Sequence, residues 1–532
     1  MTAYRMPSTI KNLVRIRPGR VWRGMFLWFV ASICSVLLAA CATSKPEPTV
    51  TAQANTDPYV MVNRLTWGAT QTAVEELSRQ GLAQYLNAQL RPQSRTMPVV
   101  LQDQIDSMTI EKTPLLELVQ QLDKMRKDAD ALTLEEAKKT AQQAYQQELS
   151  RLQREAATRH LLRALYSPKQ VQEQMTWFWL NHFSVHQGKG NVRAMLGDYE
   201  ENAIRAHALG NFRDLLGAVV THPAMLRYLD NDQNAVGRIN ENFARELLEL
   251  HTLGVNGGYA QRDVQELARV LTGHGINISP SSPALKKELQ AYYLRRGLYE
   301  FNPARHDFGD KVLLGKPLTG RGAEALKESL DRLSQHPSTA AFISRKLAVY
   351  WLADEPPLAL VNQMAKEFSQ SKGDIAAVLK VLFTAPEFAA ASGKKFKDPM
   401  RFVLSSVRLA YDQKAVLNVG PMLNWLNRMG EPLYGRVSPD GYPLLGNAWD
   451  SAGQMATRFE IAKAIGSGSA GLFKVDGPQA QERPAFPQLS NALYYQAIEK
   501  TLTPSTRKAL EDAASPQEWG TFLLSSPEMM YR

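Results

Sequence analysis

The sequence predicts a mainly α fold: a multi-helix globular body with one small β-hairpin near 298–314 and a projecting charged helical hairpin. Three observations carry this. From about Tyr59 onward apolar residues recur at spacings of three and four, as in 73–82 and 82–90. Ser167-Pro168, His222-Pro223, Ala385-Pro386 and Ser526-Pro527 each follow an apolar run, and proline suits the first helical position because its missing N–H costs nothing there. No alternating strand–helix pattern and no glycine-rich phosphate loop occurs in the sequence.

The first 40 of the 532 residues differ from the rest. Arg5, Lys11, Arg15, Arg17, Arg20 and Arg23 form a basic leader without an acidic residue, followed by an apolar run from Met25 to Ala40. This is the layout of a secretory signal. The run is short for a transmembrane helix, which needs about 20 residues. The alternative is an uncleaved signal anchor. The ending Leu38-Ala39-Ala40-Cys41 resembles a bacterial lipobox. That resemblance implies cleavage before Cys41, lipid on its thiol and attachment to a membrane. Ala42 in the next position implies, by the same analogy, sorting to the outer membrane, with the body in the periplasm.

Removing the leader changes the charge argument. The whole chain carries +10, from 62 basic and 52 acidic residues. Without the six basic residues of 1–40 it has 56 against 52, a net +4. The basic character is mostly the leader's, so the charge offers no support for a nucleic-acid partner. The only cysteines are Cys34 and Cys41. Cys34 leaves with the signal, so the exported body has no crosslink and depends on its core. At 44% apolar content there is enough chain to build one.

After Cys41, residues 41–58 are small, polar and proline-bearing, a flexible tether. The body, 59–532, reads as one domain. Residues 115–165 are rich in Gln, Glu, Lys, Arg and Ala, with sparse Leu, and form the helical arm. The arm is either a partner-binding element or a solvated pair of helices. The runs 298–301 and 311–314 flank a turn-rich loop and predict the small hairpin. Residues 275–290 read as loop, and 321 to about 412 as helices. Residues 430–450 and 466–488 are Gly/Pro-rich and read as irregular. The C-terminal helical part is 321–532.

Candidate site residues concentrate in 175–310. Seven of the nine histidines fall between His182 and His306. The aromatic run Trp177-Phe178-Trp179-Leu180-Asn181-His182-Phe183-Ser184-Val185-His186 reads as a buried helix. His182 and His186, four apart, would share one face and could ligate one metal ion. Alternatively, both are satisfied by backbone or carboxylate partners. Phe183 follows His182, so the zinc-protease pattern is absent. Farther on, Asn242, Glu246 and Glu249 line one helical stripe, with Phe243, Leu247 and Leu250 opposite. If that stripe faces His182 and His186, the set of two histidines and two carboxylates suits zinc, iron or manganese. Otherwise Asn240, Glu241, Asn242 and Arg245 form a structural polar network that braces neighbouring loops, with i, i+4 ion pairs among Glu241, Arg245 and Glu249. The Glu-x-x-His di-iron signature is missing here. Glu246, Glu249 and His306 are the catalytic candidates; Asp307 beside His306 is badly placed to orient its ring. No Gly-x-Ser-x-Gly elbow occurs.

Several blocks resemble one family: Asn63-Arg64-Leu65-Thr66-Trp67-Gly68, Phe178-Trp179-Leu180-Asn181-His182-Phe183, Asn240-Glu241-Asn242-Phe243-Ala244-Arg245-Glu246-Leu247-Leu248-Glu249-Leu250, Asp263-Val264, Leu271-Thr272-Gly273, His306-Asp307 with Lys311, and Ser526-Pro527-Glu528. Together, from about 59 to 532, they resemble the bacterial family catalogued as domain of unknown function 1800. The resemblance implies an exported, mainly helical bacterial protein. It also implies a partner, an exported sulfatase-like protein of the family of unknown function 1501 whose members are often encoded alongside. Ala260 and His274 depart from the family pattern, which usually has threonine and tryptophan there. The expected function is an envelope lipoprotein with a partner-binding or scaffold role. The alternative is a metal-dependent hydrolase or oxidoreductase built on His182, His186, Glu246 and Glu249.

Overall fold

In a computed structural model of the chain, residues 57–93, 97–474 and 485–532 are described. The leader, Cys41 and nearly all of the tether lie outside them. Asn55–Arg532 form one compact unit, built mainly of helices with two small antiparallel sheets. No described helix is long and apolar enough to cross a membrane.

The body opens on helix Pro58–Leu65. Asp57 caps it by accepting from the Tyr59 N–H at 2.8 Å, and proline occupies its first position. Met61, Val62 and Leu65 enter the core, and Arg64 enters with them, fully buried. The apolar spacings of 73–82 and 82–90 become helices Gln71–Gln80 and Leu82–Leu90.

The arm consists of helices Leu115–Asp130 and Glu135–Tyr166. Its two ends differ because their sequences do. From Leu149 onward, Leu152, Ala156, Leu161, Leu162 and Leu165 are buried, so the second half of the long helix belongs to the core. Residues 131–148 contain no buried side chain. Ion pairs such as Lys124–Asp128 and Arg126–Asp130 decorate the flank. Exposed pairs of this kind stabilise by a few tenths of a kcal/mol at most.

Three of the four proline junctions start helices as expected: Pro223–Tyr228, Pro386–Ala390 and the 3₁₀ turn Pro527–Met530. The fourth does not. Helix Gln170–His182 starts two residues after Pro168, with Lys169 at its N-cap.

The hairpin expected across 298–314 also needs correction. Strands β1 (His274–Ile276), β2 (Leu294–Arg296) and β3 (Tyr299–Phe301) form a sheet in the order β1-β3-β2, all antiparallel. His274 lies opposite Phe301, and so does Leu294 on the other side. Strand β4 (Val312–Leu313) pairs only with β5 (Lys316–Pro317). The reason is turn chemistry. Gly297, with φ +59°, sits first in the two-residue link from β2 to β3, as a type II′ turn requires. Leu314 and Gly315, with φ +49° and +73°, supply the two left-handed positions of a type I′ turn from β4 to β5. These two tight turns pair β2 with β3 and β4 with β5, while β1 joins the far edge of β3. Residues 275 and 276, read as loop, belong to β1.

Beyond residue 321 helices return at Ala323–Ser334, Pro337–Trp351, Leu358–Gln370, Ile375–Thr384 and Pro399–Tyr411. Residues 430–450 are irregular apart from one 3₁₀ turn.

Candidate functional site

The aromatic run forms helix Gln170–His182, with Trp177, Phe178 and Trp179 buried. The helix stops at His182; Phe183, with ψ +53°, is its C-cap. His186 therefore lies outside it, and the expected i, i+4 histidine pair on one helical face does not form. Two distant contacts account for the stop. Tyr199 donates its hydroxyl to the Phe183 carbonyl at 2.7 Å. The Asn181 carboxamide engages the Tyr442 backbone in both directions. Those bonds turn the chain where its local sequence would let the helix run on.

Both ring nitrogens of His182 are occupied. Lys346 Nζ donates to Nδ1 at 2.9 Å, and Nε2–H donates to the His251 carbonyl at 3.1 Å. This bonding requires the neutral ring. Burial, reinforced by Lys346 and His251, holds His182 well below the usual histidine range. The His251 ring stands 6.1 Å from it, with neither nitrogen bonded, and burial next to Lys346 lowers it to about 3. Burial lowers Lys346 itself to about 8. His186 packs its ring against Gly188, and its Nε2 is buried without a partner.

Helix Asn242–Glu249 turns Phe243 and Leu247 into the core, with Leu250 half-buried at its C-cap. Glu246 and Glu249 lie on its other side, half-buried. Tyr259 donates its hydroxyl to Glu249 at 3.3 Å. Burial raises the Glu246 carboxyl, and the charges of Glu249 and Asp440 raise it further, against Arg245. Among the expected i, i+4 pairs, Glu241–Arg245 forms at 3.2 Å, and Arg245 turns next to Gln261 at 3.0 Å. The asparagines tie loops together. Asn240 takes the Asn242 N–H at 3.0 Å and gives its own N–H to Asn234 at 2.9 Å. Asn242 reaches the Leu229 carbonyl at 3.3 Å. Asn231 bonds the carbonyls of Leu271 and His274 at 3.1 and 2.8 Å, and Asn234 that of Ala268 at 2.9 Å.

His306 lies buried between Phe301 and Phe308. Its Nδ1–H donates to the Thr272 carbonyl at 2.7 Å, and Nε2 is buried without a partner. Burial lowers the ring to about 4. Asp307 does not orient it. That carboxylate faces Arg269 through two bonds of 2.8 and 3.1 Å, which, outweighing burial, hold it at about 2. Lys311 donates to the carbonyls of Asp307 and Gly309.

The acidic run Asp198-Tyr199-Glu200-Glu201 lies in the same window of the sequence, but its partners come from elsewhere. It folds into a π-helical turn, Tyr199–Ile204. Glu200 is 1% exposed and sits between His160 Nδ1, at 3.0 Å, and the Tyr434 hydroxyl, which donates to it. Burial alone would raise the Glu200 carboxyl; His160, Arg159 and Tyr434 outweigh it and hold it at about 2. Glu173 next door takes Arg205 in a two-bond fork of 2.7 and 3.0 Å. His222 bonds Asp198 at 2.9 Å and caps its own helix by accepting from the Ala224 N–H. His160 and Tyr434 lie 274 positions apart, so no local spacing could signal them.

Among the described residues, no group of three or more His, Cys, Asp or Glu side chains could hold a metal ion. The chemistry available around residue 182 is hydrogen bonding by neutral imidazoles and one lysine. Around residue 246 it is proton exchange at a carboxyl whose proton is held more tightly than usual.

The model of a family described as Protein of unknown function (DUF1800) matches residues 60–531. The chain belongs to that family. No curated protein and no solved structure matches it.

Proposed function

We propose that this family member is an exported, lipid-anchored protein of the bacterial cell envelope that acts as a partner-binding scaffold. One observation carries the reading. The outer part of the charged arm, 131–148, has no fully buried side chain, and its Leu132 and Leu134 are 40% and 75% exposed. Apolar side chains held out on an ion-paired stalk are suited to another protein surface. The partner class is the exported sulfatase-like family implied by the resemblance. The anchor is the lipid on Cys41, supported by the lipobox-like Leu38-Ala39-Ala40-Cys41, with the outer membrane as its destination and the body in the periplasm.

The test is co-purification of the full chain with a co-expressed protein of the 1501 family. Leu132→Asp with Leu134→Asp should abolish capture and leave the body folded. Undiminished capture by that double variant rejects the arm as the contact. Mass spectrometry of Cys41 reads the anchor, and Cys41→Ser should release the protein into the soluble fraction.

A second reading, a metal-dependent hydrolase or oxidoreductase, draws support from Glu246, whose raised proton affinity beside Glu249 suits acid–base work. Stoichiometric zinc, iron or manganese in the purified body, lost in both His182→Ala and His186→Ala, would replace the scaffold reading with this one.

A further inference from the structure

A second concentration of charge lies outside residues 175–310 in the sequence, around helix Pro399–Tyr411 and the C-terminal turn Pro527–Met530. Arg64, Lys395, Lys397, Arg401, Arg458 and Arg532 are each at most 5% exposed there. Three carboxyl groups accompany them. Asp354 pairs with Lys395. Asp398 caps the helix, taking the Arg401 N–H at 2.7 Å. Glu431 is buried and takes the Met400 N–H at 2.8 Å; burial, with Asp398 close by, pushes its carboxyl well above the usual range and favours its neutral form. With Glu528 of the adjoining cleft counted, six cations face four side-chain carboxyls, of which Glu431 favours its neutral form.

Aromatic faces and carbonyls hold most of the arginines in place of carboxylates, though Arg401 Nε also has Asp398 at 3.9 Å. Arg64 stacks 4.5 Å over Phe388 and bonds the Ala391 and Trp351 carbonyls at 2.8 and 2.9 Å. Arg458 lies 4.8 Å from both Phe396 and Phe402. Arg401 and Arg532 share Tyr350 and Trp351 at 4.9–5.9 Å. This leaves donors unused: both Nη atoms of Arg401, and Nε and Nη1 of Arg532, are buried without partners. Lys397 has less still. Its ammonium makes no ion pair or hydrogen bond among the described residues. Burial, with Arg458, Arg401 and Arg532 around it, depresses it to about 7.

Lys397 and Arg532 line one solvent-reaching cleft of about 350 Å³, together with Asn63, Ser405 and Thr503. Glu528 is the one side-chain carboxylate in the lining. It is already bound by the Thr503 N–H at 2.7 Å and the Thr506 hydroxyl at 3.0 Å. A buried cation without a counterion is costly, and a desolvated cation attracts an anion far more strongly than one in water. We propose that this cleft binds a small oxyanion of the phosphate type, free or as the end of an ester, between Lys397 and Arg532, with the neighbouring hydroxyls and carboxamide as further bonds. The site is independent of the scaffold reading.

The test uses the full chain at fixed ionic strength, with thermal unfolding and calorimetry against inorganic phosphate and glycerol 3-phosphate. Both ligands should raise Tm in the wild type, in proportion to the logarithm of their concentration at saturation. Equal shifts point to free phosphate as sufficient, and a larger shift with glycerol 3-phosphate points to an ester. Lys397→Met should unfold no earlier than wild type without ligand, because it removes an uncompensated buried cation. It should bind phosphate at least about tenfold more weakly. Equal Tm shifts in wild type and variant, or none in the wild type, overturn the proposal. If Lys397→Met does not fold, Lys397→Gln takes its place. Line broadening in the ³¹P spectrum of glycerol 3-phosphate with wild-type chain reads occupancy directly, and its absence overturns the proposal equally.

Discussion

Around the π-helical turn Tyr199–Ile204 each buried charge faces an opposite one: Glu200 meets His160 and Arg159, Glu173 meets Arg205, and Asp198 meets His222. Around helix Pro399–Tyr411 Lys395 meets Asp354 and Arg401 has Asp398 at 3.9 Å, but the other buried cations face rings and carbonyls, and several donors face nothing. The first region has the density of titratable groups that draws the eye in a sequence. Its charges are matched, although Arg159 Nε and His160 Nε2 lack hydrogen-bond partners, so it holds the fold together and offers little to a ligand. The second is unremarkable in composition, yet its charge is unmatched and it borders a cleft. For this chain, unmatched charge marks a binding site better than the number of histidines does.

The largest effect expected from that contrast lies in the matched region. Glu200→Ala strips the shared carboxylate from His160 and Tyr434, and breaking a buried pair from one side costs about 3–5 kcal/mol. Urea unfolding at neutral pH measures it; a loss below about 1 kcal/mol would put the two regions on the same footing. The pH profile should agree. Glu200 and Asp307 both have carboxyls held at about 2 in the folded chain. Their stabilisation is therefore complete above the ordinary carboxyl values near 4 and disappears as pH falls from there through about 2. Glu200→Gln should flatten part of that acid limb.

His222→Ala comes next, at about 1 kcal/mol, because it removes one helix cap and one bond to Asp198. Arg401→Met should change stability by less than about 1 kcal/mol, since replacing a poorly paired buried charge by an apolar group of similar size is often neutral or better. It loses contacts with Trp67, Tyr350 and Trp351 but relieves repulsion from Lys397 and Arg532. Chemical denaturation of both variants side by side with Glu200→Ala ranks the three. A large loss in Arg401→Met would mean that its charge is answered after all.

Helical content was legible because it is local. The spacing in 71–90, the aromatic run before His182 and the stripe Phe243–Leu247 all repeat with the helical period, and each became a helix. Ends and pairings were less legible. Nothing between Phe183 and His186 resembles a stop, because the stop comes from Tyr199 and Tyr442. The β2–β3 turn was written in Arg296-Gly297-Leu298, but two arginines before it hid the strand. At the site, Arg64 and Trp67 stood out only as parts of a block of resemblance, as did Glu528 near the other terminus. Folding brings the two blocks together, so that Asn63 and Glu528 line one cleft. Contacts between residues more than 460 positions apart leave no periodic trace in a single sequence.

Glu246→Gln tests the smallest effect and bears on the boundary between the two regimes, since Glu246 is a half-buried group whose carboxyl charge meets more opposition than support. Burial, Glu249 and Asp440 raise its carboxyl. A raised folded value means that the wild type is favoured below the ordinary carboxyl value and loses that advantage as pH rises through the raised one. The variant has no such slope. The two proteins should therefore be equally stable near pH 4, and at pH 7 the variant should be more stable by about 0.5 kcal/mol, in keeping with charges still partly in water. Denaturation midpoints at the two pH values decide it. If Glu246→Gln is instead the less stable protein at pH 7, a cation must be answering that carboxylate in solution. The metal-dependent reading would then regain the one residue that most supports it.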